Sequence, residues 1–304
     1  MSKTGGGRGT NQHGIKGASA AGGGSAPKHQ RTSAAAPPQL AETVPDWESL
    51  LKEYPTFPSA VQAVPEPAWS DLSERVSDLQ PKGVDRAVAR YLARESKSLH
   101  ADARLEGFAY TEPEIRTLLT GGHVAGHTAG EEAQVAGMKQ ASDLMLRFVE
   151  DGVVEPSQRV SDDIHLKVAM PLGLKSMAFR GNQREQYEGP QVQLDRGERY
   201  RALDARLTPY ALAAGLQRIA EIDHPVLRGT TWAAFATYHQ FYLDGNKRTG
   251  RYVMNAVLMS HGYDSIMIPD RLKAEYEDAL VSSYRSGDLT DHIAFLLDQY
   301  DDES

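Results

Sequence analysis

From about residue 84 onward the apolar residues recur at helical spacing, three and four positions apart, and polar residues fill the positions between. Over 84–96 the spacing predicts a helix with Val84, Val88, Leu92 and Ala93 on one face. Thr111, with Pro113 inside the first turn and Glu114 three positions on, reads as a capped helix start that runs to Gly121-Gly122. A helix over 133–150 carries Val135, Met138, Leu144, Met145 and Phe148, and further helices are predicted over 207–222, 227–241, 249–262, 272–286 and 288–300. Strand signals are few. The best lies over 177–192, a polar stretch with Gly181-Asn182 and Gly189-Pro190 that suits a hairpin. Residues 45–81 contain Pro and Trp and predict short helical stretches at best. The pattern is that of a mainly α chain with one β-hairpin.

Composition sharpens this only at the ends of the scale. The 304 residues contain no cysteine, which removes disulfides, thiolate nucleophiles and cysteine-ligated metals. No apolar run approaches the roughly 18 residues of a membrane-spanning helix. The formal charge is −8 but unevenly spread. Residues 1–41 hold Lys3, Arg8, Lys16, Lys28 and Arg31 and no acid, so the rest of the chain carries −13. Rich in Gly, Ala and Ser, that first stretch has too little apolar surface to offset its ordering entropy and is expected to be a disordered tail over 1–44. An extension over 45–94 and a main domain over 95–300 complete the predicted organisation. The acidic balance speaks against a nucleic-acid partner. The expected location is cytoplasmic; alternatively, the acid-poor tail serves as a leader for export into another cell.

The chemistry concentrates between two apolar helical patterns, at Asp244, Gly245, Asn246, Lys247, Arg248, Thr249, Gly250 and Arg251. Gly245 permits a tight turn, and the amides after it open the next helix, whose N-terminus attracts anions. Lys247, Arg248 and Arg251 add three cations where the helix dipole alone would favour acids, an arrangement that makes sense around a bound anion. Asp244 is the hard oxygen ligand that Mg²⁺ takes when it also bridges phosphates, and Asn246 can donate to a phosphate oxygen. The combination points to a nucleotide polyphosphate with its metal.

Residues 239–251, HQFYLDGNKRTGR, resemble the signature HxFx(D/E)GN(G/K)RxxR of the Fic domain family. The likeness continues through Asn255, Leu258, Gly262-Tyr263, Ile268-Pro269, Tyr276, Gly287-Asp288 and Phe295-Leu296, and upstream through Ala178-Phe179-Arg180 and Asp223-His224-Pro225. The resemblance implies a Fic-type helical core with a β-hairpin flap, and transfer of AMP from ATP to a Ser, Thr or Tyr hydroxyl of a protein, with Mg²⁺ held by Asp244. It implies that Gly245, Asn246, Lys247, Arg248, Gly250 and Arg251 bind the nucleotide and that the motif histidine is the general base. It also implies a protein partner and allows self-association, with no membrane role.

Two departures qualify the resemblance. Four residues separate His239 from Asp244 where the family has three, so either Gln240 occupies the base position or a one-residue bulge carries His239 into it. Lys247 stands where most of the family has Gly and resembles the Doc branch, which transfers the γ-phosphate and so phosphorylates its target. A catalytically silent nucleotide- or partner-binding module is the remaining alternative. Upstream, Asp102 to Gly107 (DARLEG) resembles the family's inhibitory motif (S/T)xxxE(G/N), with Asp in place of the hydroxyl residue. That resemblance implies that Glu106 pairs with Arg251 and blocks the γ-phosphate. His123 and His127 form an i,i+4 pair, but their Gly-rich setting predicts a loop.

Overall fold

The computed structural model describes residues 67–173, 178–182, 188–194 and 197–300, all within the compact unit Pro45–Ser304. The predicted tail over 1–44 and most of the extension before Pro67 lie outside the described residues. In chain order the helices are α1 (Pro67–Val76), α2 (Val84–Ala93), α3 (Glu95–Leu105), α4 (Glu112–Leu119), α5 (Ala129–Asp151) and α6 (Gln158–Ala169). After the hairpin strands β1 (Gln191–Gln193) and β2 (Arg199–Arg201) come α7 (Thr208–Ala220), α8 (Pro225–His239), α9 (Asn246–Ser260), α10 (Lys273–Ser286) and α11 (Thr290–Asp298). The fold is mainly α with a single two-stranded sheet among the described residues. None of the described helices is long and apolar enough to cross a membrane.

The centre is the antiparallel pair α8–α9, both of which are buried over almost their whole length. Small residues let the two backbones approach. A Cβ on Gly229 would meet Leu258 Cδ1 at 2.5 Å, and one on Gly250 would meet the Ala233 carbonyl at 3.2 Å. α5, α6 and α11 pack around this pair, so the loop joining α8 to α9 is held on a rigid base. The capping boxes at Thr111/Glu114 and Thr128/Glu131 start α4 and α5; the second explains why α5 begins four residues before the predicted start at 133.

Three expectations are corrected. The helix read over 84–96 breaks at Arg94 (φ −124°, ψ 17°), where α3 begins afresh. Its buried stripe runs through Ala87 and Tyr91, with Val84 and Val88 beside them, while Leu92 is half exposed. Tyr91 wins because its hydroxyl finds Ser142 Oγ at 2.8 Å inside the core, a partner that no periodicity count weighs. The hairpin lies further along the chain than 177–192. Its ladder pairs Gln191 with Arg201, Val192 with Tyr200 and Gln193 with Arg199, and Gly181-Asn182 belongs instead to a 3₁₀ turn over Arg180–Asn182. There a Cβ on Gly181 would strike Phe179 and Pro209 at 2.5 and 2.7 Å, so this glycine serves close packing rather than a hairpin turn.

Candidate active site

The loop between α8 and α9 has two halves with different physics. In the first, α8 ends as Gln240 turns into the left-handed region (φ 50°, ψ 59°), the only non-glycine with positive φ among the described residues. That turn separates the directions of two adjacent side chains. His239 points back into the core, 1% exposed, edge-on to Phe235 and Tyr238 and stacked on Phe241. Both of its ring nitrogens lack hydrogen-bond partners. Burial, helped by the Arg180 charge, pushes the imidazole pKa down to about 3, so the ring is neutral at all ordinary pH. Gln240 faces the cleft instead. Its Nε2 donates to the Thr237 carbonyl at 2.6 Å and to the Tyr284 hydroxyl at 3.0 Å, and its Oε1 accepts from Asn246 Nδ2 at 2.8 Å.

Gln240 thus fills the position that spacing left open between it and His239, and the base role considered for His239 does not fit its surroundings. The bulge that would bring the imidazole round is not formed, because the aromatic set of α8 and the loop encloses it.

Arg180 fixes this turn from a distance. Its guanidinium, 1% exposed, donates from Nε to the Gln240 carbonyl at 2.5 Å, from Nη2 to the His239 carbonyl at 3.1 Å and from Nη1 to the Leu203 carbonyl at 2.8 Å. Its own amide donates to the Phe241 carbonyl at 2.9 Å. Burial lowers its pKa to about 10, which still leaves it charged. The last carbonyls of α8 are orphans of any helix end, and here a buried cation satisfies them.

The second half is built for an anion. Tyr242 stacks on His165 of α6 with centroids 3.6 Å apart and donates to Asp162 Oδ1 at 2.6 Å, which anchors the loop sideways. Gly245 (φ 76°) makes the final turn; a Cβ there would press on Val168 at 3.0 Å. Asn246 is used inside the loop. Its Oδ1 accepts from the Tyr242 amide at 2.9 Å, and its Nδ2 donates to the Tyr242 carbonyl and to Gln240, so the phosphate contact expected of its side chain is already spent on the turn. Gly250 faces α8 and serves helix packing rather than nucleotide contact. Asp244 is the most open member, with its side chain 59% exposed; its Oδ1 accepts from the Gly245 amide at 2.5 Å and lies 3.7 Å from Arg248 Nη2. Lys247 is half-buried at the cleft wall.

Arg248 and Arg251 are both almost fully buried, one helical turn apart, and both meet the end of α3. Glu106, the residue after α3, bridges them, with Oε2 3.5 Å from Arg248 Nε and Oε1 3.4 Å from Arg251 Nη2. Asp102 takes Arg251 Nε at 2.8 Å, the shorter contact of the two. Gln134 of α5 accepts from Arg248 Nη1 at 3.2 Å. Burial pushes the Glu106 carboxyl up, but Arg248, Arg251 and Lys247 outweigh it and hold it below the usual carboxylate range. Arg251 Nη1 and Arg248 Nε remain buried without a hydrogen bond. Sequence reasoning paired Glu106 with Arg251; it did not find that Glu106 spans both arginines, nor that Asp102 is itself a ligand of Arg251.

Glu106, Lys247 and Arg248 open onto a cleft of about 850 Å³, while Arg251 and Asp102 lie behind them. One wall is the strand β1 with Leu194, another is α10 through Leu280, Val281 and Tyr284, and the floor is the loop from Gln240 to Arg248. The flap is tied to the far wall by Arg285, which donates to Glu198 Oε2 at 2.7 Å. A cleft with an apolar side, a cationic helix start and one exposed carboxylate suits a nucleoside polyphosphate. Among the described residues no group of three or more His, Asp or Glu forms a metal cage. His123 and His127 lie in the loop before α5, paired separately with Glu132 and Glu114.

The cleft thus sits over a loop and a cationic helix start on a helical core, with the hairpin along one side. No protein-family model matches the chain. Curated relatives do. The protein adenylyltransferase Fic of Drosophila ananassae is 26% identical over 258 residues, covering 78% of this chain and 47% of that protein. That of Drosophila erecta is 28% identical over 204 residues, covering 64% and 38%. The chain therefore spans about half the length of the curated relatives it matches, or less. Among solved structures, a Fic-domain signaling protein from Bacteroides thetaiotaomicron superposes with a TM-score of 0.56 at 16% identity, over 77% of this chain and 92% of that one. Fic-1 of C. elegans (aa 134–508) gives 0.52 at 19% identity, over 83% and 70%. By sequence the chain is similar to Fic adenylyltransferases, and its fold is that of Fic-domain proteins.

Proposed function

We propose that this chain is an adenylyltransferase of the Fic kind, moving AMP from ATP to a protein and held in a braked state by Glu106. The observation that carries the reading is the pair Arg248–Arg251 at the first turns of α9, both buried and bridged by one carboxylate, Glu106, which lines the cleft together with Arg248. Two guanidiniums held together at a helix start match two phosphates of a polyphosphate, and the carboxylate between them occupies the place those phosphates would take. The relatives named above are protein adenylyltransferases. ATP is accordingly the donor. Asp244 fits a single-carboxylate Mg²⁺ site completed by phosphate oxygens, since one of its oxygens is committed to the Gly245 amide and its side chain is mostly exposed. Mg²⁺ there supplies charge neutralisation on the phosphates. The chain's own residues do the rest. The α9 amides and Arg248 hold the phosphates, Arg251 takes the outermost once Glu106 leaves, and the flap strand β1 offers backbone to a target.

A second reading, a nucleotide-binding module without transfer, is favoured by Gln240, whose amide is wholly committed to Thr237, Tyr284 and Asn246 and accepts no proton. Parallel assays with α- and γ-labelled ATP and Mg²⁺ on wild type and Glu106→Gly separate the possibilities. α-Label on product with Glu106→Gly, and little with wild type, is the expected outcome. γ-Label alone makes it a kinase of the Doc kind. ATP bound without either label makes it the silent module.

A further inference from the structure

Resting on the adenylyl-transfer reading, we propose that the acceptor in this cleft is an anionic oxygen, that of a phosphate or a carboxylate group, rather than a neutral hydroxyl. A hydroxyl that attacks phosphorus must lose its proton, and a positioned base normally contributes ~10²–10⁴-fold to that step. The residue at the base position is Gln240. Its amide offers no site for a proton, and its three hydrogen bonds leave it no freedom to assist in another way. The imidazole one residue earlier is enclosed by Phe235, Tyr238 and Phe241 and does not line the cleft. No histidine lines the cleft at all among the described residues. Of its carboxylates, Glu106 is bound to two arginines and Asp244 is placed for the metal. Glu277 and Asp278 line the cleft from α10, an element apart from the loop that carries Gln240.

An oxygen that is already anionic at neutral pH needs none of this. Its lone pair forms the new bond to the α-phosphorus, the bond from that phosphorus to the bridging oxygen of the β-phosphate breaks, and pyrophosphate leaves with the electron pair. No proton has to move. The difficulty in such a step is repulsion between two anions, and here the cleft has what relieves it. Lys247 projects at the start of α9 beside Arg248, with no ion pair of its own among the described residues. An ammonium lining the cleft there offsets repulsion between two anions that meet beside it.

The test uses the full chain carrying Glu106→Gly, with ATP and Mg²⁺, and ³²P-labelled inorganic phosphate as the smallest phosphate acceptor. Transfer of AMP to phosphate puts that label into the β-position of ADP. The expected signal is at least ~10-fold above the same chain with Arg248→Ala, because the guanidinium holds the donor. A parallel arm with acetate and hydroxylamine traps any acyl adenylate as a hydroxamate and separates carboxylate from phosphate acceptors. With α-labelled ATP, protein hydroxyls stay unlabelled in this chain, and Gln240→His, or Gln240→Glu where the imidazole is not accommodated, raises hydroxyl labelling by ~10²-fold. Stable label on Ser, Thr or Tyr from the Gln240 chain, with none in ADP or hydroxamate, overturns the anionic acceptor and leaves adenylyl transfer standing. Silence of the Gln240 chain in every arm overturns it too. In that case, hydroxyl labelling by Gln240→His preserves the transferase reading, and silence of that variant with ATP bound removes both.

Discussion

The two halves of the α8–α9 loop are a few residues apart, yet they obey opposite rules. Around Gln240 and Asn246 every side-chain donor and acceptor is matched by another protein group. Around Arg248 and Arg251 two buried nitrogens have no hydrogen bond, and although Asp102 holds Arg251 Nε at 2.8 Å, the carboxylate that bridges the pair, Glu106, stands off at 3.4 to 3.5 Å, longer than a good charge-assisted bond. A self-satisfied turn stabilises the fold and has nothing left to give a ligand. A loosely matched charge cluster costs stability and retains capacity for one. Within this single loop, structure and function have been sorted into adjacent residues.

The strongest way to break that contrast is Arg251→Ala. It leaves Asp102 without its cation and Glu106 with Arg248 alone, and about 3–5 kcal/mol of stability should be lost, read as a large fall in Tm. Adding Asp102→Asn and Glu106→Gln should recover much of it; a loss that persists would mean that the guanidinium's packing, not its charge, is what matters. Next in size is the acid response of the first half. The folded His239 pKa is about 3, so below pH 6.5 the unfolded chain binds a proton that the native state refuses. Stability therefore falls as pH drops, by up to about 1.4 kcal/mol per unit between 6.5 and 3. Unfolding free energies from urea titrations at pH 7 and pH 5 should differ by about 2 kcal/mol from this residue alone. His239→Phe should flatten that slope, and an unchanged slope would place the titration elsewhere, with the equally buried His292, also near 3, the first suspect.

Gln240→Ala removes a donor to Thr237 and Tyr284 and a partner of Asn246, and should cost about 1–3 kcal/mol while leaving ATP affinity nearly unchanged. A large affinity change would show that Gln240 contacts the nucleotide after all. The smallest effects concern the brake. Glu106→Gly should tighten ATP binding about tenfold, about 1.4 kcal/mol, and Asp102→Ser on that background should add a few-fold more, about 1 kcal/mol or less, by freeing Arg251 Nε. No gain from Asp102→Ser would identify Asp102 as a fixed support for Arg251.

How much of this was written in local sequence varies with the range of the interaction. The turn at Gly245, the cation run and the start of α4 are local, and each was legible from residues within one turn of each other. The motif from Asp102 to Gly107 was legible as a pattern, but its second carboxylate was not, because (S/T)xxxE reads position 102 as a hydroxyl. α6 went unread. Its start, Ser157, and its stripe Val160, Ile164 and Val168 have proper spacing, yet Ser161 and His165 lie on the buried side and blur the face. Those two polar residues are buried because they serve the site, His165 stacking on Tyr242 and bonding Thr249 Oγ1 at 2.9 Å. Arg180 was beyond local reading altogether, since its carbonyl partners lie 23 to 60 residues away. The choice between His239 and Gln240 turned on one backbone angle that spacing does not encode.

Glu106 follows directly on α3, its amide bonded back to the Asp102 carbonyl at 3.2 Å. On the proposed reading one carboxylate is both the end of a helix and the occupant of a phosphate site, and thermodynamic reciprocity connects the two. Whatever factor a bound polyphosphate gains when the end of α3 is drawn away, the agent that draws it away gains from the polyphosphate. A partner that grips α3 and a nucleotide in the cleft are therefore each other's effectors. Amide exchange at residues 102–107 should quicken when ATP binds, by the factor that Glu106→Gly adds to affinity.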